Sequence, residues 1–177
     1  MQGINSDEQN YVSTNYYKII MSNIKLIEEK YAEAVKGIKE EWFNEPNTNW
    51  YEYIIGLPIQ LQFCYLIVVF HNQIFNGGFH QYFVNGYGQF AKETIEALKT
   101  IGALKKAELL EEALSIVNSE DDPDYTFRKK LLEKQIPQLF STDGLFEFLD
   151  NIYYSDENED IEQLLGSYLK IRYDGKV

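Results

Sequence analysis

The chain has 177 residues, 45 % of them hydrophobic, with only 11 Gly and 4 Pro, so it can bury one sizeable core and is neither disordered nor a loop-rich all-β fold. Its 28 acidic residues outweigh 16 Lys and Arg, giving a net charge of −12; this disfavours direct contact with nucleic acid and favours encounter with a cationic partner, although solubility alone accounts for such a charge equally well. The single cysteine, Cys64, sits among Phe63, Tyr65 and Leu66, which excludes an intrachain disulfide or thiolate cluster and reads as a small buried hydrophobe.

The first ten residues, MQGINSDEQN, are polar and acidic and lack the basic and apolar regions of a signal peptide. Tyr17, Ile20, Ile24, Ile27, Tyr31, Ala34, Val35 and Ile38 recur at three- and four-residue steps and predict a helix over 14–43, with Gly37 as a bend or break. Residues 44–49 are a turn cluster. The next element is predicted over 58–75, with Pro58 at the first helical position and an apolar surface nearly all round from Leu61 to Phe75. Val68, Val69 and the aromatics also suit a strand, and length favours the helix. The uninterrupted apolar run, Phe63 to Phe70, is far short of the ~20 residues of a membrane span, so a soluble cytoplasmic protein is expected.

Residues 89–101 and 104–117 predict a helical hairpin, with Gly102 as a left-handed C-cap. Phe90, Ile95, Leu98 and Ile101 face Leu109, Leu110, Ala113, Leu114 and Val117. Asp122 and Pro123 read as N-cap and first residue of a helix of some ten residues running through Leu131 and Leu132, which Ile136-Pro137 ends or kinks. Asp143 is placed to cap a helix with an apolar stripe of Leu145, Phe146, Leu149 and Ile152. A polar turn over 155–160 leads to a last helix ending near Arg172. No Gly/Ser-rich linker divides the chain. The expectation is one all-α domain over 1–177: a compact multi-helix fold with a central buried helix, a short aromatic helix and a helical hairpin.

The least generic stretch is IFNGGFHQYFVNGYG, residues 74–88. Asn76-Gly77-Gly78 reads as a helix stop, with Gly77 expected in the left-handed conformation. Phe79, Tyr82 and Phe83 then share one face of a short helix, and His80 and Gln81 point elsewhere. Asn85-Gly86 repeats the stop, and Gly88 loosens entry to the next helix. A phosphate loop is disfavoured, because no Lys or Arg lies between Lys39 and Lys92 and no third Gly or preceding strand is present. His71 and His80 do not share a helix face, so they form no metal pair, and Cys64 with His71 makes no nucleophile–base pair. One of these histidines is expected to be buried and hydrogen-bonded. No catalytic residue, metal site or cofactor is singled out.

The signature Asn76, Gly77, Gly78, Phe79, Gln81, Tyr82, Phe83 and Asn85, followed by Gly88 and the hairpin with Ile101-Gly102-Ala103, resembles a bacterial family of small acidic helical proteins whose best-known member is a DNA mimic of the Neisseria type. The resemblance spans roughly residues 55–118, leaving the acidic C-terminal helices, about 119–173, similar only in character. It implies an all-α scaffold, no catalysis, homodimerisation, and binding to a DNA-binding transcription factor through an acidic face. That family typically has Glu where this chain has Gln73: a charged role would be lost here, a hydrogen-bonding role kept. Aromatic residues left over on the short helix would seal a dimer.

A DNA mimic presents carboxylates in place of phosphates to the Arg and Lys of a DNA-binding protein. Asp143, Glu147, Asp150, Asp156, Glu157, Glu159, Asp160 and Glu162 run without an intervening Lys or Arg, and the first three fall on one helix stripe. They form the candidate partner-binding face. Glu120, Asp121, Asp122 and Asp124 make a second cluster. Acids near 156–160 also stabilise a helix start, and a solvated acidic face is the ordinary outcome of such runs. The expected function is a non-enzymatic binder of a basic protein, either a DNA-binding protein or transcription factor, or, as an immunity protein or antitoxin, a basic toxin such as a nuclease.

Overall fold

The computed structural model describes residues 6–43, 48–141, 144–156 and 158–174, and these are all-α. Helix α1 (Ser6–Val35) ends just before Gly37, as predicted, and a 3-10 turn, Glu40–Phe43, follows. Most of the turn predicted over 44–49 lies outside the described residues. Helix α2 (Asn49–Ile55) was not foreseen; Trp50 and Ile54, one turn apart, are its buried face. Trp50 donates its indole N–H to the Tyr65 hydroxyl at 3.0 Å and packs edge-on against Tyr87 and Phe90. A tryptophan surrounded by rings, rather than an apolar stripe, holds this short helix in place.

Helix α3 (Ile59–Val84) is the central element, and the choice of helix over strand is correct. Residues 61–67, 69 and 70 are all buried, so the helix is covered on every side. Pro58 precedes it as the capping residue. Phe75 departs from the expected buried run and is exposed. Helices α1 and α9 pack along each other and along α3.

A 3-10 turn (Tyr87–Phe90) leads into the hairpin of α4 (Ala91–Ile101) and α5 (Leu104–Val117). Gly102 is left-handed, at φ 91°, and the Ala103 N–H reaches back to the Leu98 carbonyl, closing a Schellman cap. Helix α6 (Asp124–Leu132) starts after Pro123, which takes the capping position, so Asp122 is no N-cap; its carboxylate pairs with Lys130 at 2.6 Å instead. The short α7 (Gln138–Ser141), α8 (Glu147–Ser155) and α9 (Ile161–Asp174) complete the described chain. Helix α8 packs on the C-terminal half of α3, where the sequence signature falls.

Candidate functional site

The signature builds a break inside α3. Backbone angles leave the helix at Gly77 (φ −179°, ψ 28°) and Gly78 (φ 71°, ψ −171°), then return to it at Phe79. The residue that requires glycine is therefore Gly78, not Gly77: Gly78 occupies a region open essentially to glycine alone, whereas an extended φ such as that of Gly77 is open to any residue. The first free N–H of the restarted helix, that of Phe79, is capped by the Asp150 carboxylate at 2.8 Å. A Cβ on Gly78 would stand 2.6 Å from Asp150 Cγ. Two adjacent glycines thus let a carboxylate from α8 sit against the backbone of α3. Burial raises the Asp150 pKa, partly countered by the Phe79 N–H and the nearby His80.

Phe79, Tyr82 and Phe83 do share one face, and all three are fully buried against Phe70, Phe146 and Tyr153. No aromatic of the short helix is left over to seal a dimer. The exposed rings nearby are Phe75, Phe148 and Tyr154, on α3 and α8. Gln73 answers the question its position raised: its Oε1 accepts from Gln81 Nε2 at 3.2 Å and from Asn85 Nδ2 at 2.9 Å. The role is hydrogen bonding across the break, and an amide performs it. Gly86 is left-handed, as expected of the second stop. Gly88 is buried, and a Cβ there would press on the Phe83 ring, so close packing and not looseness explains it.

The candidate acidic face divides into two kinds of residue. Asp150 caps the break in α3. Glu159 accepts the N–H groups of Lys105 and Lys106 at 2.7 and 3.0 Å, capping α5. Asp160 accepts the Gln163 N–H at 2.9 Å, capping α9. Asp156 pairs at 3.3 Å with Lys106, whose side chain is only 3 % exposed. Burial works against the charge of Asp156, but the Asn158 N–H and the Lys106 ammonium together hold its pKa below the ordinary carboxylate value. Glu147 and Glu162 are exposed, in the first turns of α8 and α9, and make no ion pair among the described residues. Asp143 and Glu157 lie outside the described residues. The eight acids adjacent in sequence thus do not all stand free: four are bonded within the protein, Asp150, Asp156 and Glu159 half-buried and Asp160 exposed. Nothing local in the sequence marks Lys105, Lys106 and Phe79 as their partners.

The second cluster is likewise neutralised in part. Lys130 pairs with Glu120 at 2.9 Å as well as with Asp122, and Lys92 pairs with Asp124. Asp121 is exposed. His71 Nδ1 and the Tyr153 hydroxyl share a hydrogen bond at 2.8 Å, so the hydrogen-bonded histidine foreseen is there, half-buried rather than buried. Burial, with the positive Lys106 behind it, lowers its pKa to about 4, so the ring is neutral at pH 7. His80 donates Nε2–H to the Leu139 carbonyl at 2.7 Å. Cys64 is buried, and burial pushes its thiol up to about 12, an inert packing residue. Among the described residues no group of three or more His, Cys, Asp or Glu stands together as a metal site, and no helix is long and apolar enough to cross a membrane.

A family model described as DMP19-like protein matches residues 56–172. No curated protein and no solved structure matches the chain. The family match corrects the assignment drawn from the signature at residues 76–85, a DNA-mimic family of the Neisseria type over roughly 55–118. The family found is the DMP19-like one, and the likeness does not stop at residue 118 but runs on through α6 and α8 and most of α9. Those later helices complete the break in α3, since α8 supplies Asp150 and the rings that cover Phe79. On a match covering well over half of its length, the chain belongs to the DMP19-like protein family.

Proposed function

We propose that this protein is a binding protein rather than an enzyme, and that it engages a basic, DNA-binding protein through exposed carboxylates that take the place of phosphates. The observation that carries the reading is the net charge of −12 together with the stretch from Asp143 to Glu162, which has eight acids and no Lys or Arg. A surface of this sign accelerates encounter with a cationic patch and gives binding that weakens with salt. Among the described residues of that stretch Glu147 and Glu162 are the acids best suited to contact a partner, because they are exposed and make no ion pair there. Asp150, Asp156, Glu159 and Asp160 contribute to the negative field while holding the fold together.

The test is affinity capture with the wild type and with Glu147→Gln/Glu162→Gln, followed by elution in rising salt or with duplex DNA. A basic partner released by both salt and DNA, and held less tightly by the double variant, supports the proposal. Capture indifferent to salt, to DNA and to the substitutions would sink it. Changing Asp150 or Asp156 instead would confuse lost binding with lost structure, so circular dichroism and melting accompany each variant.

A further inference from the structure

A groove of about 360 Å³ lies between α2 and α6, away from the acidic stretch. Tyr51 and Glu52 stand on one side. Tyr125, Arg128, Lys129 and Leu132 line the other at i, i+3, i+4 and i+7, a single helical stripe.

Three features set this groove apart from an ordinary solvated dent. The Arg128 guanidinium lies 4.1 Å from the Tyr51 ring centre, and that ring is itself fixed, stacked on Phe90 and donating its hydroxyl to Glu93. Arg128 is half-buried and makes no ion pair or hydrogen bond among the described residues; Asp124 is engaged by Lys92 and Glu93 by Tyr51, and Glu52 and Glu133 line the groove without bonding to it. A planar fork of N–H donors is therefore held in place with no protein acceptor. Gln89, which also lines the groove, is only 3 % exposed; its Nε2 donates to the Gly86 carbonyl at 3.1 Å, and its Oε1 has no partner among the described residues. Such an unmet buried acceptor calls for a donor. Tyr125, 67 % exposed, offers a ring to the solvent.

We propose that this groove binds a small aromatic carboxylate bearing a second hydrogen-bond donor. Its carboxylate takes the Arg128 fork and the Lys129 ammonium, its ring lies against Tyr125 and Leu132, and its donor meets Gln89 Oε1 once that amide, whose oxygen is closed to solvent in this conformation, turns outward. The overall negative charge does not forbid this, because salt screens charges beyond about 8 Å and the lining itself balances Arg128 and Lys129 against Glu52 and Glu133. Glu52 and Glu133 at the groove's edge limit the charge it accepts, which favours a carboxylate over a doubly charged phosphate ester. The proposal does not depend on the basic partner, and either can fail alone.

The experiment is a titration of the full chain, isotopically labelled, with 4-hydroxybenzoate, followed by amide chemical shifts. The comparison compounds are benzoate, 4-hydroxybenzyl alcohol and phenyl phosphate. The expected result is saturable shifts confined to residues 48–52, 86–90 and 124–133. Benzoate binds more weakly, and the alcohol and the phosphate ester more weakly still. Arg128→Gln lowers affinity about tenfold or more, the worth of a charged hydrogen bond. Tyr125→Ala, at an exposed ring that leaves the fold intact, lowers it as well and keeps the test decisive if Arg128→Gln unfolds. Non-saturating or scattered shifts, equal binding of the alcohol, tighter binding of the phosphate ester, or unchanged affinity in both folded variants would overturn the proposal.

Discussion

Replacing Gly78 by Ala tests the account of the signature directly. At φ 71° and ψ −171° an alanine is in a conformation whose strain is about 1–3 kcal/mol. Its Cβ also meets the Asp150 carboxyl group, 2.6 Å from Cγ, so Asp150 has to withdraw and the Phe79 N–H loses its cap, at a further cost of about 0.5–2 kcal/mol. The sum, roughly 3 kcal/mol, is a large share of the 5–15 kcal/mol that stabilises a typical domain and lowers the melting temperature by about 6–12 °C. Gly77→Ala is the control. Its extended φ is open to alanine, and the added Cβ meets the Gln81 side chain, which has to shift and loosen its bond to Gln73, so it costs about 1 kcal/mol. Urea denaturation of both variants and of Asp150→Ala measures the terms separately. In Gly78→Ala/Asp150→Ala the collision is absent, so the double variant loses less than the two single losses added together. A Gly78→Ala protein that melts like wild type, or a Gly77→Ala protein hurt as badly, would falsify the assignment of the strained position.

Two further predictions concern buried polar groups elsewhere. Asn23, on α1, is 1 % exposed and packed against Gly166 of α9, and neither its Nδ2 nor its Oδ1 has a partner among the described residues. Asn23→Ala removes an uncompensated amide worth about 1–3 kcal/mol and gains helix propensity, while the small cavity costs about 1 kcal/mol. A net stabilisation of about 1 kcal/mol, seen as a higher urea midpoint, is expected; a lower midpoint would mean that Asn23 has a partner after all. For His71, the pKa of about 4 lies below the ordinary 6.5, so between those values the unfolded chain binds a proton that the native state refuses. Stability therefore falls as pH drops from about 6.5 towards 4, on top of the loss as Asp156, whose pKa is lowered, becomes protonated at more acid pH. His71→Asn, which keeps an acceptor for Tyr153, flattens the upper part of that decline in melts recorded across the same range; parallel curves for the two proteins would refute the assignment.

Periodicity was enough to locate the long elements. The stripes of α4 and α5, the left-handed Gly102 between them and the buried run of α3 all follow from local patterns, because each depends on residues within a turn or two. Helix α2 escaped because its seven residues have too few turns for a period, and its place is fixed by Trp50 meeting Tyr65, Tyr87 and Phe90. The left-handed position went to the wrong glycine for a related reason: adjacent Gly77 and Gly78 are equivalent by composition, and only Asp150, far along the chain, distinguishes them. The acids of 143–162 show the limit most clearly. Their charge is evident from composition and the cap that Asp160 makes to Gln163 is local, whereas the capping role of Glu159 and the ion pair of Asp156 depend on tertiary neighbours.

The carboxylate that crosses from α8 to α3 also bears on how far the molecule can be shortened. A fragment ending near residue 118 would retain both glycines and every ring of the signature, yet it would lack the oxygen that closes the gap between the two halves of α3 and the Phe146 and Tyr153 that shelter it. The most recognisable segment of this chain is thus not a self-sufficient folding unit, and its angular shape is imposed by residues synthesised after it.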